Sequence, residues 1–245
     1  MVNATRNELK IAERQKRSYI RDLFARVAPR YDLLNSLLSL GVHYYWREKA
    51  ARVARLQPGD TALDVCTGTA DLAIRLARDV GEDGKVVGAD FCEPMLRLGQ
   101  RKVRKQANGR RVTLVLADAL QLPFAPNSFE AVTVAFGIRN VVDIRQAFAE
   151  MWRVLKPGGR AVCLEFSLPR IPIFRELYSF YFYRLVPWMG GLLSHRDAYS
   201  YLPASVRRFP EREVLAQIMR EAGFAEVTWQ EMTFGVVCIH SGVKR

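Results

Sequence analysis

Several features are scarce or missing in this 245-residue chain, and each absence excludes a class of protein. The four cysteines, Cys66, Cys92, Cys163 and Cys238, lie far apart and form no CxxC pair, so neither a disulfide scaffold nor a cysteine metal site is expected. No run of about 20 apolar residues could span a bilayer, and the first residues lack the apolar core of a signal peptide. These absences predict a reduced protein of the cytoplasm.

Internal repeats, low-complexity tracts and long flexible linkers are also missing. Hydrophobic residues make up 49% of the chain and aromatic residues 11%, which is ample material for one core, so we expect a single α/β domain over 1–245. Acidic residues are the scarcer charged type, with 25 Asp and Glu against 37 Lys and Arg. The resulting net charge of +12 favours an anionic partner, and charge alone does not choose between nucleic acid and a lipid surface.

The basic residues concentrate in two segments, near the N-terminus and near residue 105. Each segment is interpreted either as a solvated helix face or as a surface that meets a membrane. The residues concerned are Arg6, Lys10, Arg14, Lys16, Arg17 and Arg21 in the first segment, and Arg97, Lys102, Arg104, Lys105, Arg110 and Arg111 in the second.

The spacing of apolar residues changes after residue 56. Before it, apolar residues recur every three or four positions, which predicts a helical cap over 1–56 with breaks at Pro29 and Gly41. After it, short apolar runs alternate with helical stretches, which is typical of a parallel sheet wound with helices. The expected strands are 61–66, 85–90, 113–117, 131–136 and 160–166, with helices after the first, second and fourth.

The C-terminal third completes the predicted organisation. An aromatic insert over 168–209 is followed by a helix over 211–222 and a hairpin formed by 227–233 and 235–241. A closing antiparallel hairpin distinguishes one branch of the doubly wound folds. We therefore expect a cap (1–56), a cofactor-binding core (57–167), a substrate-side insert (168–209) and a closing helix and hairpin (210–245).

Polar or small residues follow the ends of three consecutive predicted strands. Gly68 lies in the turn after the first, Asp90 ends the second, and Asp118-Ala119 follows the third. The carboxyl ends of parallel strands meet where doubly wound folds bind nucleosides. Asp90 can accept both ribose hydroxyls, or cap the helix that starts near Glu93, and Asp118 or the Ala119 backbone can meet an adenine edge. Together these positions predict a nucleoside cofactor.

The glycine turn argues against a dinucleotide. It departs from the G-x-G-x-x-G pattern because Gly68 is its one glycine, and this leaves none for a pyrophosphate to lie against. A cofactor with a sulfonium and an amino-acid tail needs hydroxyl and carboxylate partners instead. Thr67, Thr69 and Asp71 supply such groups beside the turn.

Segments along nearly the whole chain carry a family resemblance. They are Val27-Ala-Pro-Arg-Tyr-Asp32 with Asn35 and Trp46, Asp64-Val-Cys-Thr-Gly-Thr69, Leu122-Pro-Phe124, Phe136-Gly-Ile-Arg-Asn140, Arg153-Val-Leu-Lys-Pro-Gly-Gly159, Glu165-Phe-Ser167 and 199–203. With them the chain resembles the quinone-biosynthesis C-methyltransferases, the demethylmenaquinone and ubiquinone methyltransferase family. The glycine turns are shared by many methyltransferases, whereas the first and fourth segments look specific to the family.

The resemblance implies both a fold and a cofactor. The fold is that of class I S-adenosylmethionine-dependent methyltransferases, a Rossmann-like and mostly parallel seven-stranded sheet with a terminal antiparallel hairpin. The methyl donor is S-adenosylmethionine, which Thr69, Asp90 and the Asp118-Ala119 pair are expected to bind beside Gly68.

Ala135 departs from the family pattern. Members that serve ubiquinone as well as menaquinone often have Ser at this position, so a side-chain hydroxyl contact to the cofactor is missing, and only a backbone contact remains. The difference weakens the expectation of a dual activity.

The resemblance also implies the acceptor, a prenylated naphthoquinol that is methylated on a ring carbon, so that demethylmenaquinol becomes menaquinol. Arg139 and Asn140 follow the fourth strand, and we expect them at the acceptor end of the site. Because an arginine pKa exceeds about 12, Arg139 would stabilise a phenolate or orient a water rather than act as a base. A structural Arg139 paired with Asp143 is the alternative. His43 could serve as a general base, although a packing role at the start of its helix is equally expected.

The aromatic run over 178–188 suits an apolar channel or the water-lipid interface from which a prenyl tail would be drawn, and a buried core helix is the alternative. We expect a cytoplasmic enzyme in transient contact with the inner membrane surface, without a metal or a nucleic-acid partner, and leave self-association open.

A nucleic-acid methyltransferase is disfavoured because the fourth strand is not followed by an Asp or Asn, Pro, Pro, aromatic tetrad. A binding module would not need three strand-end positions. Methylation of a ubiquinone precursor, soluble phenol or sterol remains the alternative.

Overall fold

A computed structural model of the protein describes residues 6–181 and 196–245. Its centre is a seven-stranded sheet in the order β3-β2-β1-β4-β5-β7-β6, in which β7 runs antiparallel to both of its neighbours. The strands are β1 (Thr61–Val65), β2 (Lys85–Asp90), β3 (Val112–Leu116), β4 (Phe129–Ala135), β5 (Leu155–Phe166), β6 (Ala225–Met232) and β7 (Val237–Val243). The expected doubly wound sheet with its closing hairpin is confirmed.

Helices cover both faces of the sheet. They are α1 (Arg6–Val27), α2 (Tyr31–Leu38), α3 (Val42–Ala54), α4 (Asp71–Leu76), α5 (Glu93–Val103), α6 (Ile144–Val154), α7 (Pro172–Phe180), α8 (Arg196–Arg208) and α9 (Arg212–Glu221). The predicted breaks in the cap are present: Pro29 lies in a 3-10 turn after α1, and Gly41 adopts a φ of +76° between α2 and α3. Helices follow the first, second and fourth strands, as the sequence indicated.

The two central strands explain where the site forms. β1 pairs with β2 on one side and with β4 on the other, so the chain reverses its direction of winding between them. Both strands are rich in small and β-branched residues that are buried on both faces, as expected for parallel strands between helix layers. In such folds ligands bind outside the carboxyl ends of the strands at this switch point.

Two apolar cores lie on the two sides of the sheet. One joins α3 and α4 to the sheet through residues such as Trp46, Ala50 and Leu72. The other joins α6 and α9 to it, with Phe148 and Met219 completely buried. The cap helix α3 is therefore an integral part of the core.

The fifth strand and the insert differ from the expectation. β5 begins at Leu155 rather than near residue 160, because Leu155 already pairs with Phe129 of β4. The Lys-Pro-Gly-Gly segment is an irregularity, with Gly158 at a φ of +79°, and pairing resumes at Arg160. The insert contributes α7 and α8, while most of the predicted aromatic run and His195 lie outside the described residues. Within the described ranges, no helix is long and apolar enough to cross a membrane. The division into cap, core and insert stays a prediction.

Candidate active site

A cavity lies at the carboxyl ends of β1, β2 and β4, with about 980 Å³ of space that is partly open to solvent. Every residue predicted for cofactor binding lines it, namely Gly68, Thr69, Asp90, Asp118, Ala119 and Ala135. The cap covers it from above, with Arg17, Ile20 and Phe24 of α1 and Tyr31 of α2 in its wall. The strand-end positions therefore meet, although their roles toward a cofactor stay a prediction.

A buried carboxylate at the end of β1 fixes the glycine turn. The Asp64 side chain accepts hydrogen bonds from the Thr67 hydroxyl at 2.6 Å and from the Thr133 hydroxyl at 2.8 Å. Burial raises the pKa of Asp64 to about 6. The turn then runs through left-handed conformations at Cys66, Gly68 and Ala70, so two residues other than glycine adopt a strained φ here. The Thr67 hydroxyl therefore donates its hydrogen bond within the protein and stabilises the turn.

Asp90 joins β2 to this turn. One oxygen of its carboxylate accepts the backbone N–H of Gly68 at 2.8 Å, and the other accepts the N–H of Cys92 at 2.8 Å. The second bond holds the backbone just before α5. The N-cap of this helix is Cys92 and no side chain caps it, so the capping alternative for Asp90 is wrong. Burial raises the pKa of Asp90 to about 6, so the carboxylate is ionised at neutral pH. Since a carboxylate offers about four acceptor positions, these bonds leave acceptor capacity for a hydroxyl group of a ligand.

Asp118 is held from two sides. Its Oδ1 accepts the backbone N–H of Leu120 at 3.0 Å, and its Oδ2 forms an ion pair with Arg17 of α1. Ala119 is buried beside it in the cavity wall. The basic N-terminal segment therefore directs at least Arg17 toward the cavity, whereas the sequence analysis considered only solvent or a membrane for this segment.

The turn after β4 approaches the turn after β1 very closely. A Cβ atom added to Gly137 would lie 2.3 Å from Cβ of Cys66, so a side chain has no room there. Phe136 adopts a φ of +58° and places its ring against Phe166, with ring centroids 4.8 Å apart. Ala135 precedes this turn and is part of the cavity wall through its backbone and methyl group.

A cluster of charged groups ties the cap to the floor of the cavity. Lys102 of α5 contacts Asp32 of α2 and Asp71 of α4, each at 2.6 Å. The Thr69 hydroxyl donates to Asp32 at 2.6 Å and accepts from Lys102 at 3.2 Å. Oδ2 of Asp71 is buried and receives no hydrogen bond from the described residues, and Arg47 lies 4.0 Å from it.

A second cavity lies next to the first and is mainly apolar, with about 1070 Å³ of open space. The two share Phe24, Tyr31, Arg47 and Phe136 in their walls. The other lining residues are Leu23, Val27, Leu34, Asn35, Leu38, Ser39, His43, Trp46, Arg139, Phe166, Tyr178, Tyr181, Tyr201, Leu202 and Val236. A polar chamber and an aromatic chamber thus adjoin at the Phe136 turn.

Arg139 is buried at the edge of the apolar cavity and pairs with Glu165 rather than with Asp143. Its guanidinium contacts the Glu165 carboxylate at 2.7 Å and lies over the Phe166 ring, 5.3 Å from the centroid. The suggested partner Asp143 instead caps α6 by accepting the N–H of Gln146. No described residue accepts a hydrogen bond from Nε of Arg139, although this atom is buried.

Asn140 lines the polar cavity, next to the apolar one. Its side-chain oxygen accepts a hydrogen bond from the Tyr201 hydroxyl at 3.1 Å, and Tyr201 lines the apolar cavity. Burial raises the pKa of Tyr201, so its hydroxyl stays protonated and can donate. Asn140 and Tyr201 therefore join the two chambers.

His43 is a buried neutral histidine. Nδ1 accepts from the Arg47 guanidinium at 2.6 Å, which leaves Nε2 to donate to the Ser36 hydroxyl at 3.1 Å. Burial, reinforced by Arg47, lowers the pKa of His43 to about 4. These contacts favour the packing interpretation. His240 is also buried, and its Nε2 donates to the carbonyl of Arg212.

Four residues near the cavities were not identified as site residues from the sequence. Arg17 and Lys102 were noted only as members of the basic segments. Tyr201 belongs to the motif over 199–203, but no role was predicted for it. Glu165 was noted as part of a motif, but its charge partner was not foreseen. Within the described part of the chain, no cluster of His, Cys, Asp and Glu could hold a metal ion.

Comparisons with known proteins agree with this geometry. The sequence model of the ubiE/COQ5 methyltransferase family matches residues 11–244. A Geobacter sulfurreducens protein named ubiquinone/menaquinone biosynthesis C-methyltransferase is 47% identical over 94% of this chain and 90% of its own length. A Geobacillus kaustophilus protein named demethylmenaquinone methyltransferase is also 47% identical, over 94% of this chain and 98% of its own length.

Solved structures with lower sequence identity share the fold. A Thermotoga maritima S-adenosylmethionine-dependent methyltransferase superposes with a TM-score of 0.65 at 19% identity, covering 92% of this chain and all of the other. A Haemonchus contortus phosphoethanolamine N-methyltransferase in complex with S-adenosylmethionine gives 0.56 at 18% identity, covering 77% of this chain and 49% of the other. These similarities bear on the architecture alone.

Proposed function

The chain belongs to the ubiE/COQ5 methyltransferase family, and from this membership we propose that it methylates a ring carbon of demethylmenaquinol to give menaquinol. Its methyl donor is S-adenosylmethionine. The observation that carries the choice of acceptor is the pair of adjoining chambers, one lined by polar strand ends and one lined by aromatic and aliphatic side chains. A prenylated naphthoquinol needs an apolar chamber beside the methyl donor.

The polar cavity fits the methyl donor in charge and in hydrogen-bonding capacity. Asp90 retains acceptor positions for ribose hydroxyls, and Ala119 offers a backbone N–H near the adenine end. The unpaired Oδ2 of Asp71 suits the ammonium of the amino-acid tail, and Arg47 suits its carboxylate. When bound, S-adenosylmethionine supplies an electrophilic methyl group on its sulfonium.

The acceptor becomes nucleophilic when one hydroxyl of the quinol loses its proton, because the phenolate moves negative charge onto the neighbouring ring carbon. A phenolic proton has a pKa near 10 in water, so the protein must stabilise the anion. Arg139 has a buried Nε without a described acceptor and is the group proposed for this role. Burial of the Arg139–Glu165 pair away from water strengthens such an interaction.

The remaining contribution is orientation. The Phe136 turn separates the two chambers, and Asn140 with Tyr201 joins them, so these residues are proposed to align the ring carbon with the methyl group. Correct alignment of two reactants can lower the barrier by roughly 7 kcal/mol or more. His43 is unsuited as the general base because its pKa is about 4 and both ring nitrogens have partners.

The test is methyl transfer from labelled S-adenosylmethionine to three acceptors in parallel: reduced demethylmenaquinol, a benzoquinol precursor of ubiquinone, and a tRNA pool. We expect label in the naphthoquinol and none in tRNA. Label in the benzoquinol as well would show that Ala135, which lacks a hydroxyl, does not narrow the specificity. Label in none of them, with cofactor binding intact, would refute the proposal and favour a soluble phenol as the acceptor.

The proposal includes a location. A prenylated quinol resides in a lipid bilayer, so the enzyme is proposed to work in the cytoplasm, at the inner face of the membrane, in transient contact with it. The net charge of +12 is compatible with that partner.

A further inference from the structure

One face of α2 and the start of α3 exposes large hydrophobic side chains. Leu33 is 68% exposed, Leu40 84% and Tyr44 55%, and Leu37 and Tyr45 are exposed as well. We call these five residues the α2–α3 face. Isolated apolar residues on a surface need no explanation, but a contiguous group of this kind marks a contact site.

Helical spacing and one contact show that the face is continuous. Leu33 and Leu37 are four residues apart and share one side of α2, and Leu40 follows two residues after the end of this helix. Ser36 belongs to the same side, and its hydroxyl lies 3.5 Å from the Tyr44 hydroxyl of α3. The tyrosine thus adjoins the leucines.

Leu40 is unusual in two respects. Its φ is +50°, a left-handed conformation in which Asn or Gly would be favoured, and its side chain is almost fully exposed. Neither burial nor backbone preference accounts for a leucine at this turn. A leucine with an unfavourable backbone conformation and a solvent-exposed apolar side chain suggests a role in binding a partner.

Basic residues border the aromatic end of the face. The Lys49 ammonium lies over the Tyr45 ring, 5.4 Å from its centroid, and Arg52 follows one turn later with a side chain that is 66% exposed. Arg52 pairs with Glu48, which also contacts Arg75, so the local acidic group is already neutralised. Leucine, tyrosine and basic side chains in this order suit an anionic lipid surface, where aromatic rings lie at the headgroup level.

The opposite side of the same two helices lines the apolar cavity. Leu34 and Leu38 of α2 and Trp46 of α3 face it. The α2–α3 face and the apolar cavity therefore lie on opposite sides of the same helix pair.

We propose that the α2–α3 face docks the protein on an anionic lipid bilayer. This inference rests on the proposed function, because a prenylated acceptor is what makes docking useful. Docking there positions the apolar cavity next to the lipid, and the basic border at Lys49 and Arg52 meets the headgroups. The fold as a whole carries the positive charge that attracts it to such a surface.

The experiment is flotation of the full chain with two kinds of vesicle. One contains phosphatidylcholine alone, and the other also contains about 30% phosphatidylglycerol, which gives the vesicle a negative surface potential. We expect binding to the anionic vesicles. The double variant Leu33→Gln with Leu40→Asn should bind about tenfold more weakly, and Lys49→Gln with Arg52→Gln about tenfold more weakly as well. Leu116→Gln with Val214→Gln removes two exposed apolar residues elsewhere and should bind like the wild type.

Several results would overturn the proposal. One is a wild-type protein that does not bind anionic vesicles. Another is a control variant, with Leu116 and Val214 replaced, whose vesicle binding is weakened as much as that of the Leu33 and Leu40 variant. A dimer in sedimentation velocity that the Leu33 and Leu40 variant dissociates would assign the face to a second copy of the chain instead. If that variant melts early by circular dichroism, the Lys49 and Arg52 variant decides the question.

The proposed function is tested separately with a quinol whose tail is cut to one prenyl unit. Methyl transfer to this acceptor should be unchanged in the Leu33 and Leu40 variant, whereas transfer to a long-tailed quinol in vesicles should decline. Wild-type protein that binds vesicles but methylates neither quinol would refute the function and leave the docking surface standing.

Discussion

Asp90 serves the fold and the candidate site with the same carboxylate. Its two oxygens hold the glycine turn and the backbone just before α5, and the acceptor capacity that remains faces the polar cavity. Arg139 is used in the same double way, since one side of its guanidinium pairs with Glu165 while Nε stays available. A substitution that keeps the approximate size of the side chain can separate its structural contacts from its proposed contacts to a ligand.

Replacing Asp90 by Asn should weaken binding of S-adenosylhomocysteine by about 10- to 100-fold. The amide keeps the size but loses a charged acceptor, a contact that contributes about 1.5–3 kcal/mol. Calorimetric titration measures the affinity, with Asp143→Asn as the control because Asn also serves as a helix cap. Wild-type affinity should fall as pH drops below 6, where Asp90 becomes protonated, and equal affinity in Asp90→Asn would rule out this assignment.

Replacing Arg139 by Lys should lower kcat by about 100-fold or more and leave the affinity for S-adenosylhomocysteine within about twofold. The ammonium keeps the charge but cannot contact Glu165 and a substrate oxygen with separate nitrogens. Steady-state kinetics and calorimetry give the two quantities, and Arg145→Lys on the surface is the matched control. A variant with unchanged kcat would make Arg139 purely structural.

At the scale of elements, the cap helices are fastened to the sheet by a few charged contacts above a cavity. α1 reaches the third strand end through Arg17 and Asp118, and α2 reaches α4 and α5 through Asp32 and Lys102. These contacts join segments that are distant in sequence, so we expect them to control the release of a ligand from the polar cavity.

Replacing Arg17 by Ala should speed the release of S-adenosylhomocysteine about two- to fivefold. The Arg17 and Asp118 side chains are partly exposed, so their ion pair is worth at most about 1 kcal/mol. Stopped-flow fluorescence measures the release rate. Arg14→Ala, an exposed neighbour on the same helix, should release at the wild-type rate, and a similar acceleration in both variants would contradict a specific role for Arg17.

Replacing Lys102 by Met should lower the free energy of unfolding by about 1–3 kcal/mol. The change leaves Asp71, which is mostly buried, without its nearest cation. Urea unfolding gives the loss, and faster amide exchange in α2 would locate it at the cap. Arg101→Met on the exposed side of α5 should cost far less.

At the scale of the whole molecule, two buried carboxylates at the ends of central strands make stability depend on pH. Burial raises the pKa of both Asp64 and Asp90 from 3.8 to about 6. The folded state therefore binds protons more tightly than the unfolded state between about pH 4 and pH 6. Their contribution to stability is greatest below pH 4 and is lost as the pH rises through 6.

Replacing Asp64 by Asn should remove about 3 kcal/mol of this pH dependence, because a change from 3.8 to about 6 corresponds to that free energy. The difference between wild type and variant should grow in favour of the variant from pH 4 to pH 7. Denaturant unfolding across this range measures it. The exposed Asp83→Asn change should follow the wild type, and a variant curve parallel to the wild type would contradict the buried-carboxylate explanation.

Local sequence determined the strands, the doubly wound arrangement and the polar positions at the strand ends. Apolar periodicity and turn residues act within about ten residues, so Gly68, Asp90 and Asp118 could be placed at one edge without a structure. Their family motifs predicted the methyl donor and the quinol. The predicted start of β5 was wrong, because pairing with β4 already begins at Leu155. The turn-forming residues Lys156 to Gly159 interrupt this pairing, which resumes at Arg160.

Tertiary structure alone decided which charges meet. Arg139 pairs with Glu165 rather than with the nearby Asp143, Arg17 reaches Asp118, and Lys102 joins three helices. Ion pairs between different elements follow no spacing rule along the chain, since they depend on the distance between side chains after the elements have packed. The α2–α3 face was likewise decided by tertiary structure. Helical periodicity marks α2 as apolar on several sides, and only packing shows which of its leucines line the cavity and which are exposed.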